Sequence, residues 1–146
     1  MKHKKVIIIG GGLAGLYAAY LLEQQQIPYL LLEAQSRLGG RILGAQNKLN
    51  AENYFDLGPA WVFPHQKKIQ RVIKQLDISL FDQYSTGDVL YQTSAYQPPQ
   101  RIKGAGDLPL FKIQGGSQSL LSALQDTVDQ ENIQLNHVLT HIERQS

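Results

Sequence analysis

The sequence predicts an α/β domain with a parallel sheet at its core, and three observations near its amino terminus carry that prediction. Two apolar runs, Val6–Ile9 and Tyr29–Leu32, have the length of buried strands. A glycine-rich turn follows the first run, and a segment with helical spacing of its apolar residues leads to the second run. Strand, helix and strand in this order are typical of a parallel βαβ unit.

The first strand and the first helix are predicted from composition and periodicity. Val6–Ile9 contains only valine and isoleucine, which favours a strand covered on both faces of the sheet. Beyond the turn, apolar side chains recur at intervals of three and four residues, so we expect one helical stripe to pack on the sheet. The residues of this stripe are Leu13, Leu16, Tyr17, Tyr20 and Leu21.

The turn between them has the spacing Gly-x-Gly-x-x-Gly. In this spacing Gly10 lets the chain turn off the strand, Gly12 lets main chain approach a pyrophosphate, and Gly15 lets the helix pack closely. The helix then offers N–H groups and the positive end of its dipole to phosphate. Many α/β proteins carry such a turn, and its context alone makes it specific for dinucleotides.

That context includes Glu33, which follows the second strand about 20 residues after the turn. At this place a carboxylate accepts hydrogen bonds from the ribose hydroxyls of an adenosine, and its charge repels a 2′-phosphate. We therefore predict a Rossmann-like dinucleotide-binding domain that disfavours NADP.

The segment Glu33–Arg41 decides which dinucleotide is expected, because it resembles the Glu-Ala-x-x-Arg-x-Gly-Gly-Arg signature of the flavin-containing amine oxidase superfamily. That superfamily includes phytoene desaturases and protoporphyrinogen oxidases. The resemblance implies FAD as the cofactor, with Glu33 and Ala34 at its adenosine. It also implies that Gly40 and Arg41 lie beside the pyrophosphate. For Arg37 a cofactor contact and a solvated surface charge both stay open, and the segment argues against a nicotinamide-dependent reductase.

A second segment is similar to the Asp-x-Gly-x-x-aromatic pattern of the same family, in which main chain passes beside the isoalloxazine ring. Asp56, Gly58 and Trp61 match this pattern. Pro59 and Ala60 occupy its small, variable positions. The alternative is an ordinary Gly-Pro turn with Trp61 in the core.

The remaining elements are predicted from local patterns. Polar residues between Ile42 and Phe55, among them Asn47, Asn50 and Asn53, indicate a surface excursion. Periodicity predicts an amphipathic helix over residues 66–76, and alternation predicts a strand over residues 89–93.

Near the carboxyl terminus, Ser117 is the expected N-cap of a last helix. The apolar side of this helix consists of Leu120, Leu121, Leu124 and Val128. The runs Ile133–Asn136 and Val138–Ile142 look like the strand of the family and the valine-isoleucine element after it, which implies an adenine contact for Val138; here three residues separate the valine from the isoleucine, one more than in the family element. The alternative for Val138 is an ordinary core position.

The resemblance covers nearly the whole chain but only the amino-terminal half of the family pattern, so the FAD-binding domain is expected to be incomplete. We expect residues 1–63 to form the dinucleotide-binding unit and the flavin-facing segment. Residues 64–114 would begin a substrate-side excursion, and residues 115–146 would return to the FAD domain. No catalytic residue is assigned within the chain.

By resemblance the function is that of an FAD-dependent oxidoreductase, with hydride transfer from a substrate to flavin N5 and reoxidation by O₂. This chain would supply the AMP and pyrophosphate part of the site. The alternative is a truncated, non-catalytic nucleotide-binding or interaction module. Strands that lack their partners would leave open edges or apolar patches, so we also expect self-association or marginal stability.

Composition excludes several other classes. The chain has 14 basic and 12 acidic residues and a net charge of +2, which does not favour a nucleic-acid partner. It has no cysteine, so disulfides, thiolate metal sites and a cysteine-linked flavin are excluded within it. Its four histidines lack ligand spacing, so no metal site is predicted: His3, His65, His137 and His141.

The amino terminus has one feature of a secretory leader, because the basic residues 2–5 precede an apolar run. The glycines of that run fall on dinucleotide-binding positions, and no clear cleavage site follows. No segment has the ~18 uninterrupted apolar residues of a membrane span. A cytoplasmic protein without a membrane span is therefore expected.

Overall fold

The computed structural model describes residues 6–46, 48–49, 54–104, 106 and 109–143. The basic residues 2–5 and the three asparagines of the predicted surface excursion lie outside this part of the chain. The chain divides into two compact units, one of Met1–Ala60 with Gln114–Ser146 and the other of Trp61–Ile113. Among the described residues, no helix has the length and apolarity to cross a membrane.

The first unit is built on a parallel βαβ motif, as predicted. Its first elements are β1 (Val6–Ile9), α1 (Leu13–Gln24) and β2 (Tyr29–Leu32). After them come β3 (Gly44–Gln46), β4 (Tyr54–Asp56), α3 (Ser117–Asp126), a 3₁₀ turn (Gln130–Asn132) and β9 (Ile133–Gln134), numbered in chain order. The sheet has the strand order β1-β2-β9 with parallel pairing throughout.

Helix α1 covers one face of this sheet. A Cβ atom built on Gly15 would lie 3.3 Å from Cγ2 of Ile8, which places the helix over the face that Ile8 shares with Leu31. The buried residues of α1 are Leu16 and Ala19, whereas Leu21 is 42% exposed, so the predicted stripe is wrong at that position. The core of the unit is completed from β2 and α3 by Tyr29, Leu31, Leu120, Leu121 and Leu124.

The opposite face of β1 is open, which corrects the prediction that the strand is covered on both sides. Ile7 is 58% exposed and Ile9 is 48% exposed. The register pairs them with Leu30 and Leu32 of β2, so these four side chains share one face. An uninterrupted apolar sequence predicts that both faces are suited to burial, but it does not supply the element that buries the second one.

One local prediction is corrected near β4, and another gains detail. The segment after Ile42 contains the antiparallel pair of β3 and β4, and none of their residues is buried. Helix α3 begins at Ser117 with Gly116 as its N-cap. Ser117 does not cap the helix because its N–H and Oγ both donate to Oδ1 of Asp56, which lies at the end of β4.

In its described residues, the second unit contains one helix and two pairs of short strands. Its elements are α2 (Lys67–Gln75), β5 (Leu80–Asp82), β6 (Val89–Tyr91), β7 (Gln100–Ile102) and β8 (Phe111–Ile113). Strand β5 pairs with β8 and β6 pairs with β7, both antiparallel. The amphipathic helix and the strand near residue 90 therefore form as predicted, and Val62, Val72, Ile73 and Ile113 are buried here.

Candidate dinucleotide-binding site

The candidate site lies at the carboxyl ends of the three parallel strands. Gly10 follows β1, and its N–H donates to the Leu32 carbonyl oxygen at 2.8 Å. Glu33 follows β2, and its N–H donates to the Gln134 carbonyl oxygen at 2.9 Å. These hydrogen bonds align the three strand ends at one edge of the sheet, which is where ligands bind in parallel α/β sheets.

The glycines of the first turn have opposite surroundings. A Cβ atom on Gly15 would lie 1.9 Å from the Gly10 carbonyl oxygen, so this glycine is needed for the helix to pack on the turn. A Cβ atom on Gly12 would meet nothing nearer than the Gly39 carbonyl oxygen at 4.0 Å. Gly12 therefore leaves open space in front of the amino terminus of α1, and bare main chain borders that space.

Helix α1 presents its amino terminus to this space. Gly12 is its N-cap, with φ −76° and ψ −176°, and supplies no side-chain cap. The first turn of the helix carries no acidic residue, and Ala14 within it is exposed. The main-chain N–H groups and the helix dipole are thus available to an anion, as a pyrophosphate requires.

Glu33 is fixed beside the turn by main-chain hydrogen bonds. Its side chain is 9% exposed, and Oε1 accepts from the Gln35 N–H at 2.8 Å. Its Oε2 accepts from the Gly11 N–H at 2.6 Å. These bonds, from Gln35 first and Gly11 second, lower the pKa of Glu33, so it is a carboxylate at neutral pH. Each carboxylate oxygen keeps a second lone pair that can accept a further hydrogen bond.

The Gly-Gly-Arg segment lies against the same turn. The Gly39 N–H donates to the Gly11 carbonyl oxygen at 2.8 Å, and Gly39 forms a parallel bridge with Gly12. Gly39 and Gly40 have φ values of +108° and +55°, a region that L side chains rarely adopt. The next residue, Arg41, is exposed, so its guanidinium is available at the edge of the turn.

Arg37 has a role that sequence reasoning left open. Its Nη1 donates to the carbonyl oxygens of Leu38 at 3.1 Å and Ile42 at 3.2 Å. Its Nη2 donates to the carbonyl oxygen of Gly40 at 2.8 Å. The side chain is half-buried by these contacts, so the surface-charge alternative does not describe it.

The second family segment begins beside Arg41. A Cβ atom on Gly58 would lie 2.1 Å from the Arg41 carbonyl oxygen, so the two main chains touch here. Pro59 is exposed and Ala60 is half-buried in the same unit. Trp61 belongs to the second unit, where its indole N–H donates to Oε1 of Gln83 at 3.4 Å. The side chain of Trp61 is 53% exposed, which overturns the core alternative for it.

Val138 follows a segment tied to the end of β2. The His137 N–H donates to the Glu33 carbonyl oxygen at 2.9 Å, and the Asn136 N–H donates to the Gln35 carbonyl oxygen at 3.0 Å. Val138 itself is 66% exposed, so it is not a core residue. The run from Val138 to Ile142 has no regular secondary structure. Within the described chain, no three carboxylate or imidazole groups cluster as metal ligands would, and His3 lies outside that part.

Comparison with known proteins agrees with this geometry. Residues 8–76 match the family model of an NAD(P)-binding Rossmann-like domain. Amine oxidase [flavin-containing] A of Equus caballus is 43% identical over 76 residues, which are 52% of this chain and 14% of that enzyme. Amine oxidase [flavin-containing] B of Rattus norvegicus is 41% identical over 76 residues, with the same coverage of both chains. The match thus spans about one-seventh of the length of these relatives.

Solved structures extend the match beyond this segment. A variant of putrescine oxidase superposes with a TM-score of 0.73 at 15% identity over 90% of this chain and 50% of that one, which shows the shared fold. Cyclohexylamine oxidase from Brevibacterium oxydans IH-35A gives a TM-score of 0.58 at 25% identity over 74% of this chain and 23% of that one. The chain is therefore similar to the amino-terminal, FAD-binding part of flavin-containing amine oxidases.

Proposed function

We propose that this chain forms the adenosine and pyrophosphate half of the cofactor site of an amine oxidase-like flavoprotein oxidoreductase. Its cofactor is FAD. The observation that carries the proposal is the ionised Glu33 carboxylate held beside a glycine turn whose Gly12 faces open space. The hydrogen bond from the Gly11 N–H to Glu33 thereby joins a ribose acceptor to a pyrophosphate cradle.

Each group at the strand ends has a defined part in holding the cofactor. Glu33 accepts the ribose hydroxyls, and its charge disfavours a 2′-phosphate. The N–H groups at the start of α1 and the guanidinium of Arg41 bind the pyrophosphate oxygens. Val138 and Ala34, both exposed at the same edge, contact the adenosine.

The segment Gly58–Ala60 leads from the pyrophosphate toward the isoalloxazine ring, because Gly58 touches the main chain of Arg41. When bound, FAD would supply a hydride acceptor at N5, with O₂ as the reoxidant. The work of this chain in that chemistry is to bind and orient the nucleotide end of FAD. The relatives include oxidases of amines, and an amine is the substrate class that we propose for the whole site.

The test is a titration of the purified chain with FAD, followed by quenching of flavin fluorescence. We expect a micromolar or tighter dissociation constant for the native chain. The Gly12→Val variant should lose at least about tenfold in affinity, because its side chain fills the phosphate space while the turn has room for it. The matched control is Gln24→Val, an exposed residue at the other end of α1, which should bind FAD as the native chain does.

No binding by the native chain would contradict the proposal and leave a nucleotide-binding fold without a cofactor, which is the non-catalytic alternative. Equal weakening by Gly12→Val and Gln24→Val would also contradict it, because the loss would then come from the helix and not from the turn. Circular dichroism of each variant separates a lost site from a lost fold.

We also propose that the chain self-associates, a second copy being the partner. The support is the edge of β1, which among the described strands pairs with β2 alone, and the open apolar face beside it. Unpaired strand edges of this kind are templates for pairing with another chain.

A further inference from the structure

The side chain of Arg37 contacts the loop that follows it in the chain, residues 38–42. Three carbonyl oxygens, of Leu38, Gly40 and Ile42, converge on the guanidinium of Arg37 at 2.8 to 3.2 Å. These carbonyl groups belong to alternate residues of the loop, so the guanidinium of Arg37 holds the loop at three points. The guanidinium has five N–H donors in a fixed plane, which suits it to this task.

The loop is also fixed on its other sides. The Gly39 N–H is bonded to the Gly11 carbonyl oxygen. A Cβ atom on Gly39 would lie 2.7 Å from Cδ2 of Leu121 and 3.4 Å from Nη1 of Arg37. Gly39 is therefore enclosed by the glycine turn, by α3 and by Arg37, and has no room to shift without losing one of these contacts.

We propose that Arg37 is a positioning residue for the cofactor site: it holds Gly39 and Gly40 against the glycine turn and so directs Arg41 at the pyrophosphate. In this role it acts through main chain and not as a phosphate ligand: three of its five N–H donors, both of Nη1 and one of Nη2, are engaged with the carbonyl oxygens of the loop. This inference rests on the proposed function in one respect only, namely that the ligand at Arg41 is the FAD pyrophosphate.

The first measurement needs no ligand. Residue-resolved amide hydrogen exchange is compared between the native chain and Arg37→Met. The amides of Gly39 and Ile42 should exchange at least about tenfold faster in the variant. The Gly39 N–H donates to the Gly11 carbonyl oxygen and the Ile42 N–H donates to the Gly39 carbonyl oxygen, and both hydrogen bonds depend on the position of the loop. The amide of Gly10 reports the sheet and should be unchanged. Unchanged exchange at Gly39 and Ile42 would overturn the inference, whatever the affinity for FAD.

The second measurement is a double-mutant cycle on FAD affinity with Arg37→Met and Arg41→Met. If Arg37 acts through Arg41, each single variant should bind FAD about tenfold more weakly or worse. The dissociation constant of the double variant for FAD should then be within about threefold of that of Arg41→Met alone. Losses that multiply would show an independent phosphate contact by Arg37 and would overturn the inference. The control is Arg71→Met, an exposed arginine on α2, which should bind FAD normally.

A third variant separates geometry from charge. Arg37→Lys keeps the positive charge but cannot reach three carbonyl oxygens from one ammonium, so it should bind FAD as weakly as Arg37→Met. Native affinity in Arg37→Lys would overturn the inference, since charge alone would then suffice. If the native chain binds no FAD, the proposed function and the role of Arg37 toward the pyrophosphate fail together. The exchange data then still decide whether Arg37 holds the loop.

Discussion

At the scale of single residues, two glycines of one turn have different reasons to be glycine. A side chain at position 15 is excluded because its Cβ atom would lie 1.9 Å from the Gly10 carbonyl oxygen, whereas a Cβ atom on Gly12 would have free space around it. The first is a requirement of packing, and the second leaves open the space in which we propose that the pyrophosphate binds.

This difference predicts opposite effects of the same substitution. Glycine to alanine inside a helix ordinarily stabilises by about 0.5–1 kcal/mol, so any loss in Gly15→Ala must come from the clash. We expect Gly15→Ala to lower the free energy of unfolding by about 2 kcal/mol or more. Gly12→Ala, which has a normal φ of −76° and no neighbour within reach, should stay within about 0.5 kcal/mol of the native chain. Urea unfolding measures the free energy of unfolding of both variants. Equal values would contradict the assignment of Gly15 to packing and of Gly12 to open space.

The buried carboxylate of Glu33 gives a pH-dependent prediction. Its pKa is lowered in the folded chain, so the unfolded chain binds the proton more readily. The stabilisation is complete above the ordinary pKa of about 4.5 and is lost as the pH falls through the lower folded value. Glu33→Gln places an amide N–H₂ group against main-chain donors, so it should lower the free energy of unfolding by about 2 kcal/mol at pH 7.

The measurement is the free energy of unfolding of the native chain and Glu33→Gln across this range. The difference between them should shrink as the pH falls below about 4.5, where the native carboxylate begins to lose its advantage. A difference that stays constant down to the acid limit would contradict the role of the charge. Glu143→Gln, at an exposed site, should match the native chain throughout.

At the scale of elements, the cap of α3 comes from another part of the unit. Asp56 accepts from the N–H of Ser117 at 2.7 Å and from its Oγ at 2.6 Å, so β4 and α3 are joined at one carboxylate oxygen. The carboxylate also lies at the positive end of the helix dipole. In this chain the aspartate thus anchors the end of β4 to the start of α3.

Asp56→Ala should therefore lower the free energy of unfolding by about 1–2 kcal/mol, the usual cost of a lost helix cap. Asp56→Asn keeps an oxygen at the same place and should lose less than half of that amount. Thermal or urea unfolding of the two variants gives the comparison. An Asn variant as unstable as the Ala variant would mean that charge, and not the cap oxygen, is what α3 requires.

The elements that sequence predicts correctly are those whose signal is local. Helix α2 follows from the period of its apolar residues, and β1, α1 and β2 follow from two apolar runs around a glycine turn. The cap of α3 could not be predicted from a local signal, because Asp56 and Ser117 are 61 residues apart in the chain. The three-residue strands β3, β5, β7 and β8 also escape prediction, since their pairing depends on a partner and not on their own pattern.

The candidate site divides in the same way. Glu33 and Gly12 could be predicted, because strand, turn, helix and acid follow one another within one motif. The contact of Arg37 with three carbonyl oxygens could not, because it depends on the left-handed main chain at Gly39 and Gly40. The consecutive glycines are the only hint of that conformation in the sequence.

At the scale of the whole molecule, the open face of the sheet leads to a prediction about association in solution. Ile7 and Ile9 are about half exposed on a strand that has one neighbour in the described part of the chain, and a parallel sheet is ordinarily covered on both faces. We expect reversible self-association that increases with concentration, measured by sedimentation velocity.

A lysine on this face would have to be desolvated in the complex, so Ile7→Lys should weaken association by about tenfold or more, the equivalent of about 1.4 kcal/mol. Tyr96→Lys is the control, because this tyrosine is 98% exposed in the second unit. Equal weakening by the two variants would place the contact elsewhere, and a concentration-independent monomer would refute self-association.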